Sequence, residues 1–123
     1  MLTTIAYGLA IALNLLVILI GARFLLVPRL AATGYGVPAK QDGDGAYLII
    51  KGLRDGTYGL LGLALLAFVG AQAEAWFMLV VALIPLGDTL IVSRNGGTKA
   101  VAFGIHFATA VALLVNAALL FAL

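Results

Sequence analysis

The chain has 123 residues, of which 64% are hydrophobic and 10% charged, and its mean hydropathy is +1.20. Soluble domains average about 45–50% apolar and about 25% charged residues, so an ordinary water-soluble core is excluded. The net charge of +2 rests on 7 Lys and Arg with no basic run, which gives no nucleic-acid surface, and the absence of cysteine removes disulfides, thiolate metal sites and cysteine nucleophiles.

A helix that crosses a ~30 Å hydrocarbon layer needs about 20 residues. Four such spans and short turns account for the whole length. The expected fold is all-α: a single domain, 1–123, forming an integral membrane four-helix bundle.

The first span is expected over about 5–27, ended by Pro28-Arg29. It lacks the basic start of a signal peptide and is too long for one, so it reads as a retained span. A loop over 28–45 follows, rich in Gly and Pro and long for a helical hairpin. Lying over the charged residues described below, it is expected to act as a lid. Its Asp42-Gly43-Asp44-Gly45 segment carries a fragment of a calcium-loop pattern without the remaining ligands, so it reads as an acidic turn and no metal site is expected.

The second span is expected over about 46–71. Its apolar part, 59–71, is too short to cross, so the span takes in Arg54 and Asp55. At helical spacing Tyr47, Lys51, Arg54, Asp55 and Tyr58 make one polar stripe. Lys51 reads as interfacial. Gly52, Gly56 and Gly59 make a small-residue strip, read first as packing inside the bundle and second as a dimer face.

The third span, about 75–93, lies between Glu74 and Arg94 and must include Pro85 and Asp88. Glu74 belongs to a short turn with Gln72 and Ala73, and Trp76 is an interfacial anchor. Pro85 is expected to kink the helix just before Asp88. The turn Arg94-Asn95-Gly96-Gly97 ends the span. Thr98 caps the fourth, about 98–123, which carries His106 and a narrow polar seam through Thr109, Leu113 and Asn116.

Basic residues fall in the loops after the first and third spans and are missing from both termini. The positive-inside rule then places those loops in the cytoplasm and the N and C termini outside, in the inner (cytoplasmic) membrane as a multi-pass protein. With alternating helix directions Arg23, Arg54, Asp55, Asp88 and His106 share one layer ~5–12 Å below the cytoplasmic boundary. Charges at that depth are costly unless paired, and two cations with two carboxylates balance. Arg23 is also close enough to the boundary to snorkel. Asn14, on the opposite face of its helix, is assigned to an interhelical hydrogen bond.

The run Lys51 to Gly59, the Pro85-Leu86-Gly87-Asp88 segment, the Arg23-to-Pro28 end of the first span and His106 resemble a family of small bacterial and fungal four-span membrane proteins known only as a domain of unknown function. The similarity covers almost the whole chain, and in size and span count it extends loosely to the DoxX-like membrane proteins. The resemblance implies the four-helix fold and no activity. The first span lacks the embedded Glu of the small multidrug-resistance transporters, and the patterns of fluoride channels of similar size are missing too.

The leading functional reading is a buried charged pocket near the cytoplasmic side that binds, or transforms by acid/base chemistry, a small lipophilic molecule. Asp88 and Asp55 would be acid/base or orienting groups and His106 a proton carrier. Arg54 and Arg23, with Tyr58 beside them, would hold an anionic or carbonyl group. Isomerisation, cyclisation or hydration would suit such a site, and no cofactor motif is present. The rivals are a proton-coupled transporter or permeation subunit acting as a dimer, motivated by the polar seam, and a structural accessory subunit. The expected partners are the lipid bilayer and a small lipophilic ligand, with a homo-oligomer under the transport reading.

Overall fold

The computed structural model describes all 123 residues. Helix α1 spans Leu2–Leu26. Val27 leaves the helical region, as a residue before proline is sterically pressed to do. Pro28 then starts a short helix, α2 (Pro28–Tyr35), where its fixed φ and missing N–H suit the first helical position. Helix α3 covers Gly45–Val69, α4 Ala71–Arg94 and α5 Lys99–Phe121. The four long helices are each long and apolar enough to cross a membrane. Their bounds agree with the expected spans to within a few residues; α2 was expected as part of a loop.

The connections follow from local chemistry. A single residue, Gly70 at φ 130° and ψ 178°, turns α3 into α4, a conformation essentially reserved for glycine. After α4, Gly96 takes φ 82°, and Gly97 donates to the Val92 carbonyl at 2.9 Å, the long bond of a Schellman end. The Thr98 hydroxyl accepts the Val101 N–H at 3.1 Å and caps α5 as expected. Helix α4 is interrupted at Ala82. Pro85 has no N–H for the carbonyl four residues back, at Val81, and this accounts for the break in the ladder.

Both termini lie at one end of the bundle, and the connections α1–α3 and α4–α5 lie at the other. All 7 Lys and Arg fall toward the second end, called the basic end here; the first is the terminal end. Only 26 of the 123 residues are buried, and large apolar side chains such as Leu19, Leu53, Leu60, Phe68 and Leu83 face outward. In water this surface would collapse or aggregate. Around a bundle whose backbone bonds are closed within helices it is a lipid-facing shell, so the chain is a multi-pass membrane protein.

Helices α1 and α3 pack with almost no side chain between them. A Cβ at Gly21 would lie 2.5 Å from the Gly56 nitrogen and 2.6 Å from the Gly52 oxygen, and one at Gly52 would lie 2.7 Å from the Gly21 oxygen. Gly59 and Gly62 likewise receive α1 at Asn14, Val17 and Ile18. The small-residue strip is therefore spent inside the bundle. At the terminal end α1, α4 and α5 close on a core of Ala6, Ala10, Ala75, Met78, Leu113, Ala117 and Leu120. At the basic end a smaller core joins Phe24 to Ala31 and Ala32 of α2.

Candidate functional site

Between these two cores lies a cavity of about 330 Å³. Its walls are mostly apolar, with Leu13, Val17, Ile20, Phe77, Val81, Ile84 and Leu113 among them. Its charged side chains gather at the basic end, where Arg23, Asp55 and Asp88 line it together with Tyr35 and His106.

Tyr35 organises that end. It is the last residue of α2, and Gly36 behind it takes φ 105°, so the chain can turn away at once. The buried alanines of α2 hold the helix against Phe24 and direct the tyrosine inward. Its ring packs edge-on to Phe24 with centroids 5.6 Å apart and lies 4.3 Å from the His106 ring. Its hydroxyl donates to Asp88 Oδ2. Its backbone carbonyl lies 2.7 Å from His106 Nε2. One residue from a connection thus ties α1, α4 and α5 together. Burial first, and the Asp88 carboxylate second, push the Tyr35 phenol well above its ordinary range, so it remains a donor.

His106 is buried within a π-helical segment of α5, Ala102–Phe107. Such widened turns are frequent at functional sites because they displace one side chain from the regular helical track. With Nε2–H donating to the Tyr35 carbonyl, the neutral ring presents Nδ1 as an acceptor. Asp88 is half-buried, one turn beyond Pro85. Thr89, the residue after Asp88, returns its hydroxyl to the Pro85 carbonyl at 2.7 Å.

Asp55 is buried and pairs with Lys51, Nζ to Oδ2, at 2.6 Å. Lys51, read as interfacial, turns its ammonium inward to this carboxylate. Its ammonium also sits 4.2 Å from the centroid of the Tyr35 ring and 4.7 Å from that of Phe24, where ring faces attract a cation. Arg54, assigned to the site from the stripe on the second span, is exposed and does not line the cavity. The reason is geometric: residues i and i+4 lie nearly in line along a helix, whereas neighbours diverge by about 100°. Lys51 reaches Asp55, and Arg54 points away.

The remaining expected residues divide. Arg23 lines the cavity while staying exposed at its rim, and Tyr58 lines it although half open to the outside. Asn14, read as lying opposite Arg23, lines the same cavity farther in. It also makes the interhelical bond expected of it, donating to Glu74 Oε1 at 2.6 Å. Glu74, read as part of a short turn, is fully buried. The polar seam of α5 is divided: Thr109 gives its hydroxyl to its own helix, at Ile105 O 2.7 Å away, and Asn116 turns to the Ala6 carbonyl of α1 at 2.9 Å. The expected lid is a packed helix for its first half. Its second half is held by Arg29, which donates to the Lys40 and Gly43 carbonyls at 3.3 and 3.1 Å.

The fold and this cavity define a small four-span membrane protein with ionisable groups inside the bundle. The chain belongs to the family described as Domain of unknown function (DUF4267), whose model matches residues 14–120. No curated protein and no solved structure matches it.

Proposed function

We propose that the protein binds a small lipophilic molecule with one polar head in the cavity, and that Asp88 and His106 exchange protons with it. The observation that carries this reading is the division of the cavity, apolar along its length and ionisable at one end. Ligand sites commonly combine apolar walls with a few convergent polar groups. Arg23 has no carboxylate partner, and Asp88 has a hydroxyl but no cation. Their charges are available to a head group that accepts from one and donates to the other. Asp55, already paired with Lys51, would orient this end, and Tyr58 would line the approach.

In the chemical version of this role, one group gives a proton to the ligand as another removes one. The sum is an isomerisation or cyclisation that needs no co-reactant. Arg23 would stabilise negative charge on a carbonyl oxygen during the exchange. By the distribution of Lys and Arg, the polar end of the cavity faces the cytoplasm and both termini face outward.

The test is to purify the protein without stripping its native lipids and to compare organic extracts of wild type with Ile20→Phe, which fills the cavity, and with Asp88→Asn. A discrete small molecule should accompany wild type, be excluded by Ile20→Phe, and be held more weakly or unaltered by Asp88→Asn. Identical extracts from wild type and a folded Ile20→Phe would sink the proposal.

A further inference from the structure

The terminal half of the bundle holds an acid with no base to meet it. Glu74 is fully buried. Its Oε1 accepts from Asn14, and its Oε2 has no partner. Asn116 is equally buried and also keeps one oxygen, Oδ1, without a donor. The two asparagines are set in the same way. Asn14 gives its amide nitrogen to the Ala10 carbonyl at 3.0 Å and Asn116 gives its own to the Ala6 carbonyl at 2.9 Å, one turn apart on α1. Both donor ends are therefore used on α1, and the oxygens left over belong to α4 and α5.

No protein cation serves these oxygens, because every Lys and Arg lies toward the basic end. Among the partly buried hydrophobic side chains packed against this core, Tyr7 alone carries a polar group, an uncharged phenol when protonated. From α1 the group bonded to Glu74 is Asn14, and on α5 the polar group held against α1 is Asn116; both are neutral. A buried carboxyl oxygen and a buried amide oxygen without donors are costly in a bilayer interior, and an ionisable residue there normally has a functional counterpart.

We propose that Glu74 Oε2 and Asn116 Oδ1 form a binding site for one monovalent cation, sodium or a proton, enclosed by α1, α4 and α5. The chemistry selects this class. The donors are hard oxygens, which suit hard cations. One formal negative charge balances one positive charge, whereas a divalent ion would leave an uncompensated charge in a low-dielectric core. The site stands independently of the ligand assigned to the cavity. Asn14 connects the two, since it holds Glu74 and lines the cavity.

The test uses the full-length protein in detergent. Its unfolding midpoint is followed as sodium chloride replaces choline chloride at constant ionic strength, at neutral and at acid pH. Wild type should be stabilised saturably by sodium, by an amount on the order of 4 °C, and less at acid pH where protons compete. Glu74→Gln keeps the bond to Asn14 and brings its own N–H, so it should fold and show no sodium response. A wild type indifferent to sodium, yet stabilised relative to Glu74→Gln as pH falls, identifies the proton as the occupant. Identical behaviour of wild type and Glu74→Gln in both titrations overturns the site and leaves a neutral water in its place. If Glu74→Gln does not fold, Asn116→Ala replaces it. That variant should weaken the response to whichever cation wild type answers several-fold, and an unchanged response overturns the proposal.

Discussion

The hydroxyl of Tyr35 donates to the Asp88 carboxylate across 53 positions of sequence, joining the short helix between the first two spans to the basic-end half of the third. Tyr35→Phe removes this donor and keeps the ring against His106 and Lys51. It should lower stability by about 1–2 kcal/mol, the cost of a partly buried acceptor left without its donor. Thermal unfolding in detergent measures the loss. A variant as stable as wild type would mean that Asp88 draws its support from elsewhere.

The same phenol sets an alkaline limit. The folded state holds its proton more tightly than the unfolded chain, where the ordinary value is 10.0. This contribution is fully present below that pH and is lost as pH rises above it. Stability should therefore fall above about pH 10, with a shallower slope in Tyr35→Phe. In phenolate absorbance, the wild-type chain should ionise one tyrosine fewer before unfolding than after. Equal slopes for the two proteins would remove the tyrosine from this role.

How far the sequence leads can be judged from these contacts. The four spans were legible because apolar length is a direct demand of the bilayer, and Asp55, Asp88, Arg23 and His106 do come to one cavity. Tyr35 was missed because a helix of eight residues carries too little periodicity to stand out from a Gly- and Pro-rich loop. The usable signal was Pro28 at its start and Gly36 just past its end. Arg54 was assigned in place of Lys51 because a stripe of polar residues was treated as one face, although the adjacent Arg54 and Asp55 diverge by about 100° around the helix. Glu74 was assigned only to a turn, and a residue near a turn is ordinarily close to water. Its burial follows from tertiary packing that the sequence does not display: α4 enters the core with α1 and α5 within its first turn, where Asn14 meets Glu74.

The exchange of Arg54 for Lys51 is itself testable. Lys51→Met leaves the buried Asp55 carboxylate without its cation. It should cost about 2 kcal/mol, below the range for fully buried pairs because the lysine is partly exposed. Arg54→Gln should stay within about 0.5 kcal/mol, as expected of an exposed side chain without a partner. Adding Asp55→Leu to Lys51→Met should recover part of the loss. Equal effects from the two single changes, measured by thermal unfolding, would return Arg54 to the site.

Two glycines one strip apart should behave in opposite ways. Gly21→Ala drives a Cβ into backbone atoms of Gly52 and Gly56, which no rotamer change relieves, so α1 and α3 must separate. The expected loss is about 3 kcal/mol or more, seen as reduced yield of folded protein. Gly56→Ala meets nothing within 4 Å and should be neutral, or stabilising by a few tenths of a kcal/mol through helix propensity. Similar outcomes for both would mean that the helices do not cross at this strip.

Orientation can be read directly because the chain has no cysteine to remove. Single cysteines at Gly43, in the connection between α2 and α3, and at Ala122, just past α5, sit at opposite ends of the bundle. The Lys and Arg bias predicts that a membrane-impermeant maleimide added to intact cells labels Ala122→Cys, whereas Gly43→Cys reacts only in inverted vesicles. Arg29 holds the Gly43 carbonyl through its guanidinium and leaves the Cα open, so the reporter should not disturb the connection it probes. Labelling of Gly43→Cys in intact cells, with Ala122→Cys protected, would invert the bundle. The polar end of the cavity would then open outward, and any ligand would have to reach it from that side.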